Sequence, residues 1–409
     1  MQTVHVLSLS DLLDQRQAWN QLWAASTLSL PTVRAEGLQL WCDTFARDAE
    51  FKGLVVEQDG RFVAALPLVE DRKRGIRSYR LPSNGTVKAG DLLIDPNADV
   101  DSALETLAQR VVSLGGFTTS FTEIEIEADH WKRFFEELTK LGCQMHASTG
   151  HAVGVADVLH DWDAYQKSWS RNHRSMIRRS RKKLDNAGEL AIERMQTPAD
   201  EHLYEALEEC YAVEDRSWKG ANGTSILKTP GLREYYHREA RLMRDCGLLD
   251  LWLMKLDGQV IAFEYCQYSK GTCFSHKISF DPRWQKFSPG RVLRSYQLER
   301  YHEDSSAQRL DTLGVLCEAK AKWVTRTYVS SRCVVSTGGF VSNLLLRGFK
   351  IARHLYRRIR PVQGLEAAPK PGAAKYLQTA QTNASPACEA IVIAPALPVA
   401  SIAAPFESE

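Results

Sequence analysis

Several polar residues that could act in catalysis or bind a ligand lie between residues 264 and 291. Glu264 lies in an apolar run with strand-like alternation, where desolvation would suit a carboxylate to accept a proton near neutral pH. A structural ion pair is the alternative for Glu264. His276 lies in the following apolar run, where a histidine either acts in catalysis or is a hydrogen-bonded core residue. These two residues are the first candidates for proton transfer.

A candidate anion site follows at Ser288, Pro289 and Gly290, directly before a stretch with helical periodicity. Serine is a good helix cap, and proline fits the first helical position. The free N–H groups and partial positive charge of a helix start bind phosphate, and Arg291 adds a cation. Gly290 lets a ligand approach the backbone closely. The pattern predicts a pyrophosphate site, and a plain capped helix is the alternative.

Strands and helices in a repeated order must position these residues. A strand, an Asp-Gly turn and a second strand occur at 53–68 and again at 250–268, which is a hairpin signal. In the second case a strand at 272–280, a helix at 289–302 and a strand at 309–314 follow. We therefore predict an α/β (α+β) fold of two similar halves, each a mixed, mainly antiparallel sheet flanked by helices.

Domain boundaries follow from the same pattern. We predict an N-terminal half at 1–150, without a cofactor site, and a C-terminal half at 151–340 that holds the anion site. A basic amphipathic helix at 341–363 and a disordered tail at 364–409 complete the chain. The tail is rich in Ala, Pro and Thr, so it cannot bury enough apolar surface to offset the entropy of ordering.

The motifs of the C-terminal half resemble those of a known superfamily. The run SHKISFDPRWQKFSPGRVLRSYQLE at 275–299 looks like the acetyl-CoA-binding strand, loop and helix of GNAT acyltransferases. With WKG at 218–220 and GTS at 223–225, it resembles the cellulose-biosynthesis acetyltransferase-like (CelD/BcsL-like) family. That family is related to the Fem-type peptidyltransferases, which have two GNAT-like halves. The resemblance covers about residues 150–336.

This resemblance implies transfer of an acyl group, expected to be acetyl, from acyl-CoA to an amine or hydroxyl. The acceptor would be a small molecule or glycan precursor in cell-envelope or exopolysaccharide metabolism. The expected catalytic residues are Glu264, His276 and Asp311, the last standing where the sheets of that superfamily splay. The expected cofactor-binding residues are Ser288, Pro289, Gly290, Arg291 and Lys320. The expected substrate-binding residues are Trp218, Lys219, Arg174 and Arg178.

Two segments of the chain, 167–183 and 342–360, are strongly basic and hold no acid. Arg174 and Arg178 lie on one side of a helix predicted within 162–184, which indicates a cradle for an anionic ligand; a solvated face is the alternative. Residues 342–360 combine cations with an apolar stripe. This pattern is typical of a helix that lies on an anionic membrane surface, here the inner face, or packs on the core.

Composition argues against several other classes. Basic and acidic residues number 52 and 50, so the net charge of +2 does not indicate a DNA-binding surface. No His, Asp or Glu cluster has metal-ligand spacing, and nine cysteines without a CxxC pair fit a reducing cytoplasm. Two alternatives stay open. One is a Fem-like transferase that uses aminoacyl-tRNA, because the usual GNAT phosphate loop has a Gly-x-Gly pattern and only Gly290 of it is present here. The other is a non-catalytic accessory module of polysaccharide biosynthesis.

Overall fold

The computed structural model describes residues 2–337 except 74 and 149, together with 339, 340, 342–344, 346 and 348. The predicted basic helix at 341–363, apart from those few residues, and the predicted tail at 364–409 lie outside the described part of the chain. Within the described part, no helix is both long enough and apolar enough to cross a membrane.

The first part of the chain contains five helices and eight strands among the described residues. Its helices are α1 (Leu9–Asp14), α2 (Arg16–Ala25), α3 (Ala35–Phe45), α4 (Val100–Ser113) and α5 (Asp129–Lys140). Its strands are β1 (Gln2–Leu7), β2 (Phe51–Gln58), β3 (Arg61–Lys73), β4 (Ile76–Arg80), β5 (Leu93–Ile94), β6 (Thr118–Glu125), β7 (Met145–Ala147) and β8 (His151–Asp157).

The second part continues the same alternation. Its helices are α6 (Trp162–Ser168), α7 (Arg171–Asp185), α8 (Asp200–Arg216), α9 (Trp218–Ala221), α10 (Leu232–Asp245), α11 (Pro289–Glu303) and α12 (Glu318–Ala321). Its strands are β9 (Leu190–Met195), β10 (Leu249–Leu256), β11 (Gln259–Ser269), β12 (Thr272–Phe280), β13 (Arg309–Asp311) and β14 (Arg326–Ser336). Short 3-10 helices occupy Pro31–Val33 and Pro282–Phe287.

All of these strands belong to one sheet. Neighbouring strands follow the order β1-β2-β3-β4-β6-β14-β8-β13-β12-β11-β10-β9, while β5 pairs with β3 and β7 with β14. The two central strands are exchanged between the halves. β14, the last strand in the chain, pairs with β6, and β8 from the first part pairs with β13. Each half of the sheet is thus completed by a strand from the other part of the sequence.

The two outer parts of the sheet repeat one arrangement. Strands β1 to β4 run antiparallel to one another, and β4 then pairs in parallel with β6. Strands β9 to β12 also run antiparallel, and β12 pairs in parallel with β13. A parallel pair needs a crossover connection, which α4 and α11 provide. The prediction of two similar halves with mixed, mainly antiparallel sheets is confirmed.

Helices cover both faces of the sheet and enclose three apolar cores. In the first half, α4 and α5 cover one face. In the second half, α6, α7 and α11 cover one face, which we call the α11 face. The opposite face of the second half, the α8–α10 face, shares its core with α1, α2 and α3. Helices of the first half therefore border the α8–α10 face.

The hairpin strands of the second half lie where the sequence predicts them, but the long helix predicted at 162–184 is two helices. Ser170 accepts a hydrogen bond from the N–H of His173 at 3.2 Å and so begins a new helix. The guanidinium of Arg174 donates to the carbonyl oxygens of Gln166 at 3.2 Å and Lys167 at 2.9 Å. These bonds satisfy the end of α6 and fix the angle between the two helices.

Candidate active site

A V-shaped gap opens in the sheet between β12 and β13. The two strands pair in parallel only at residues 272–274, opposite 309–311. Beyond that point β12 continues to Phe280 and stays paired with β11, whereas β13 ends. Within the described residues, the edge of β12 from 275 to 280 therefore has no strand on the β13 side. Its unpaired backbone can hold an extended ligand, as strand edges do.

A β-bulge shapes the edge of this gap. Tyr265 pairs with Lys277, and the next residue, Cys266, pairs with Ser275, so His276 is an extra residue without a partner. The His276 ring lies 6.3 Å from the Tyr265 ring, and Lys277 lines a cavity with Tyr265. Both side chains thus point to the α8–α10 face.

The bulge changes the direction of the side chains that follow it in β12. Simple alternation places Phe274, His276, Ile278 and Phe280 on one face. Instead, Phe274 packs in the core of the α8–α10 face, and Phe280 packs in the core of the α11 face. The extra residue at His276 shifts the alternation by one position, so every later side chain of β12 changes face.

The helix after the gap, α11, begins without a side-chain cap. Ser288 stands at the cap position with a left-handed backbone (φ 50°), and its hydroxyl accepts no bond from the helix. The predicted serine cap is therefore wrong, while Pro289 does occupy the first helical position. Gly290 and Arg291 are partly exposed. The N–H groups of Arg291 and Val292 donate to the carbonyl oxygen of Ser288, at 3.0 and 3.2 Å, whereas the N–H of Gly290 has no partner among the described residues and can bind a phosphate.

Glu264 is fully buried beneath α11 and forms an ion pair. Arg294 donates to both of its carboxylate oxygens, at 2.8 and 2.5 Å, and to the hydroxyl of Ser275 at 3.1 Å. Of the two interpretations of Glu264, the ion pair is the arrangement present. The pair joins α11 to β11 and β12, so it fixes the helix start relative to the gap.

Asp311 and Lys320 lie where the gap opens. The buried Asp311 carboxylate accepts hydrogen bonds from the hydroxyl of Tyr328 at 3.0 Å and the N–H of Leu313 at 2.8 Å. Burial raises the pKa of Asp311. Lys320 donates to the carbonyl oxygens of Thr312, at 3.1 Å, and Leu313, and burial lowers its pKa. Lys320 thus holds the turn that follows β13.

Trp218 and Lys219 begin α9 on the α8–α10 face. Trp218 is 67% exposed, so it is not a core residue and its ring is open to a ligand. The ammonium of Lys219 donates to the carboxylate of Glu214 at 2.6 Å and to the carbonyl oxygen of Ile278 at 3.0 Å. Lys219 therefore ties α8 and α9 to the edge of the gap just after the bulge.

Sequence reasoning missed a buried polar cluster on the same face. Glu239 is 1% exposed and accepts hydrogen bonds from the hydroxyls of Tyr235 at 2.7 Å and Tyr265 at 3.0 Å. Burial raises the pKa of Glu239 to about 7. The ammonium of Lys277 lies 5.3 Å from the centre of the Tyr236 ring. The signal in the sequence was a Tyr and a Glu four residues apart on the apolar side of a helix.

The basic helix α7 packs beside α11. Its buried side chains lie along one stripe, so its cations face outward. Arg178 is exposed, whereas Arg174 is engaged by the carbonyl oxygens at the end of α6. Of the two substrate candidates on this helix, Arg178 is the one that projects into solvent.

The corresponding helix of the first half, α4, begins differently. Asp99 caps it by accepting a hydrogen bond from the N–H of Ser102 at 3.2 Å, and Asp101 lies in its first turn. Two carboxylates at a helix start satisfy its donors and repel another anion. That only the second half binds a phosphorylated cofactor stays a prediction.

Side chains that bind metals are scattered. Within the described residues, no group of three or more His, Cys, Asp or Glu side chains is arranged to hold a metal ion. No disulfide bond joins cysteines of the described part of the chain.

A family model covers the region of the gap. Residues 171–321 match a model described as an acetyltransferase (GNAT) domain. The matched segment contains β9 to β13 and α11, so it includes both edges of the gap and the uncapped helix start. The chain thus contains a segment similar to GNAT acetyltransferases. No curated protein sequence matches the chain.

Solved structures share the fold at low sequence identity. FemX aligns with a TM-score of 0.56 and 12% identity, covering 82% of this chain and 96% of FemX. A conserved protein of unknown function from Bacteroides thetaiotaomicron VPI-5482 aligns with a TM-score of 0.52 and 9% identity, covering 82% and 99% of the two chains. A tandem GNAT protein from the clavulanic acid biosynthesis pathway aligns with a TM-score of 0.43 and 15% identity, covering 83% and 99%. The first two show that the fold of both halves together is a known one.

Proposed function

We propose that the chain is an acyl-CoA-dependent acyltransferase that moves an acyl group, most simply acetyl, to an amine or hydroxyl. The observation that carries the proposal is the gap between β12 and β13 beside the uncapped start of α11. An acyl-CoA whose thioester lies along the edge of β12 carries a diphosphate at its other end. The backbone N–H of Gly290 and the guanidinium of Arg291 can bind that diphosphate. The GNAT family model matches this segment.

The edge of β12 supplies what thioester chemistry needs. Backbone N–H groups beyond Phe274 that face the gap can donate to the thioester oxygen as negative charge develops on it. The ion pair of Glu264 and Arg294 holds the start of α11 in register with that edge. Cofactor and carbonyl are thereby aligned before the acceptor arrives, which lowers the entropic part of the barrier.

The acceptor would approach from the α8–α10 face. The other face of the gap is covered by α11 and α7. On the α8–α10 face, the exposed ring of Trp218 can pack against a sugar or another flat group. An acceptor in cell-envelope or exopolysaccharide metabolism is proposed from the resemblance to the CelD/BcsL-like family alone.

An aminoacyl-tRNA donor is the second candidate, because α7 presents a cationic outer face. Several cations of this helix are exposed and so are available to a phosphate backbone. They are Arg171, Arg178, Arg179, Arg181, Lys182 and Lys183. A donor of this kind would bind along α7 without needing the start of α11.

Calorimetric titration with acetyl-CoA tests the proposal and separates it from the second candidate. A Cβ atom at Gly290 would meet only the Phe280 ring, at 3.5 Å, so side chains fit there without moving the backbone. We expect wild type and Gly290→Ala to bind alike and Gly290→Glu to bind at least about tenfold more weakly, about 1.4 kcal/mol. Equal binding by Gly290→Glu would show that the site is misplaced. Binding of tRNA without binding of acetyl-CoA would favour the second candidate.

A further inference from the structure

A small cavity lies between α8, α10 and the strands β11 and β12. Its lining includes Tyr211, Tyr236, Tyr265 and the stem of Lys277, and it has room for about one water molecule. The hydroxyls of Tyr211 and Tyr236 are buried and have no hydrogen-bond partner among the described residues. A buried hydroxyl without a partner costs free energy, so a water or a polar group beside either tyrosine would stabilise it.

Lys277 stands between this cavity and the gap. It directly follows the bulge on the exposed edge of β12 and is half-buried. Within the described residues its ammonium donates no hydrogen bond; it lies over the ring of Tyr236. Burial lowers the pKa of Lys277, which Glu214 and Glu239 partly offset. A half-buried lysine without a hydrogen-bonded partner is suited to gain and lose a proton.

We propose that Lys277 is the general base of the acyl transfer and that Glu239 of α10 is the positioning residue that stabilises its ammonium form. The proposal rests on the proposed function, because the gap beside Lys277 must hold the thioester. Tyr235 and Tyr265 hold the Glu239 carboxylate in place through their hydroxyls.

The reaction balances as follows. The nitrogen of a neutral amine acceptor attacks the thioester carbon, and a C–N bond forms. Lys277, as the free amine, takes a proton from that nitrogen and becomes an ammonium. The C–S bond then breaks, and the thiolate of CoA takes a proton from water. Lys277 returns its own proton to water, so no other reactant is consumed.

His276 is less suited to this role although it is its neighbour on the bulge. Burial and the charge of Lys277 lower the pKa of His276 to about 3. An imidazole that gains a proton only in strong acid is a poor acceptor near pH 7, because an efficient base has a pKa near the working pH. His276 therefore serves better as a neutral wall of the acceptor site.

The charge on Lys277 depends on groups from every element around it. These are Glu214 and Tyr211 of α8, Lys219 of α9, Tyr236 and Glu239 of α10, Tyr265 of β11 and His276 of β12. Among these groups, Glu239 is a buried carboxylate that accepts hydrogen bonds from two tyrosine hydroxyls and, within the described part of the chain, forms no salt bridge. Replacing Glu239 should therefore change the pKa of Lys277 without breaking a salt bridge.

An acyl-transfer assay tests the role of Lys277. It supplies acetyl-CoA with a panel of small primary amines and measures the rate at which free CoA thiol appears. We expect Lys277→Gln to lower kcat by ~10²–10⁴-fold while calorimetry shows unchanged acetyl-CoA binding. Lys277→Arg should not restore the rate, because arginine keeps the charge but cannot accept a proton. The matched control is Lys255→Gln, which removes a half-buried lysine of the same sheet paired with Glu193. Full activity in Lys277→Gln or Lys277→Arg would overturn the proposal.

A second measurement does not depend on the acceptor. Native protein is labelled with N-hydroxysuccinimidyl acetate over a range of pH, and mass spectrometry compares Lys277 with Lys255. We expect Lys277 to react at lower pH than Lys255, and Glu239→Gln to shift its midpoint lower still by removing a stabilising negative charge. If Lys277 reacts at the same pH as Lys255 or higher, it is not the base. Failure of acetyl-CoA to bind wild type would count against the proposed function, and the labelling would still decide on Lys277.

Discussion

At the scale of single residues, the pair of Glu264 and Arg294 limits what Glu264 can do. Both charges are buried, and removing one partner of such a pair leaves the other uncompensated. We expect Glu264→Gln to lower the free energy of unfolding by ~3–5 kcal/mol in a urea titration. The control is Glu303→Gln, which breaks an exposed pair with Arg300 on the same helix and should cost less than ~1 kcal/mol.

This experiment separates a structural role of Glu264 from a catalytic one. A cost for Glu264→Gln no larger than that of Glu303→Gln would mean that the ion pair does not hold α11 in place. Glu264 would then have no structural reason to be charged, and its candidacy as a base would return.

Residue types in the sequence indicated where a carboxylate would be buried, but not its partner. The apolar alternation around Glu264 correctly predicted its burial. Arg294 lies 30 residues further along, and only the packing of α11 on β11 brings the two together. Lys277 and Glu239 were missed for the same reason, since a bulge and a helix packing join residues that no spacing connects.

At the scale of elements, an aromatic cluster packs α7 against the end of α6 and the loop before β14, and it makes this packing sensitive to acid. His173 is buried, with its ring centre 5.1 Å from Trp169 and 4.6 Å from Trp323. Burial lowers the pKa of His173 from 6.5 to about 4. The folded protein therefore keeps this ring neutral where the unfolded chain would charge it.

The sign of the effect follows from linkage. Above pH 6.5 the ring is neutral in both states, and the contribution to stability is complete. As the pH falls from 6.5 to about 4, the unfolded chain binds the proton first, and roughly 3 kcal/mol of stability is lost. We expect His173→Phe, which keeps the aromatic packing, to remove this part of the pH dependence. Urea titrations of both proteins at pH 7 and pH 4.5 measure it, and parallel losses in both would contradict the assignment.

The sequence predicted the ends of helices and strands correctly where a local turn, cap or proline marks them. Asp-Gly turns marked both hairpins, and Pro289 marked the start of α11. The break between α6 and α7 depends on a serine cap that an otherwise continuous pattern concealed. The β-bulge at His276 has no local signal, because it arises from pairing β12 with β11.

At the scale of the whole molecule, the order of elements predicted a duplication but could not show how the halves are joined. Each half repeats the sequence of antiparallel strands, crossover helix and parallel strand. The exchange of β8 and β14 concerns the order of strands in the sheet, and the pattern of apolar residues along the chain does not predict that order. A core shared by α1 to α3 with α8 and α10 adds a second connection.

The exchange predicts that the two halves unfold together. Val335 of β14 is fully buried in the core under α4 and α5, although it lies about 200 residues further along the chain than β6, its partner strand. We expect Val335→Ala to destabilise the protein by ~2 kcal/mol. Hydrogen exchange in increasing denaturant should show β2 and β3 of the first half and β10 and β11 of the second losing protection at the same concentration. The variant should move both transitions equally, because neither half keeps its sheet once the exchanged strands separate. If β10 and β11 stay protected after β2 and β3 have opened, the halves are independent, and the exchanged strands do not couple them.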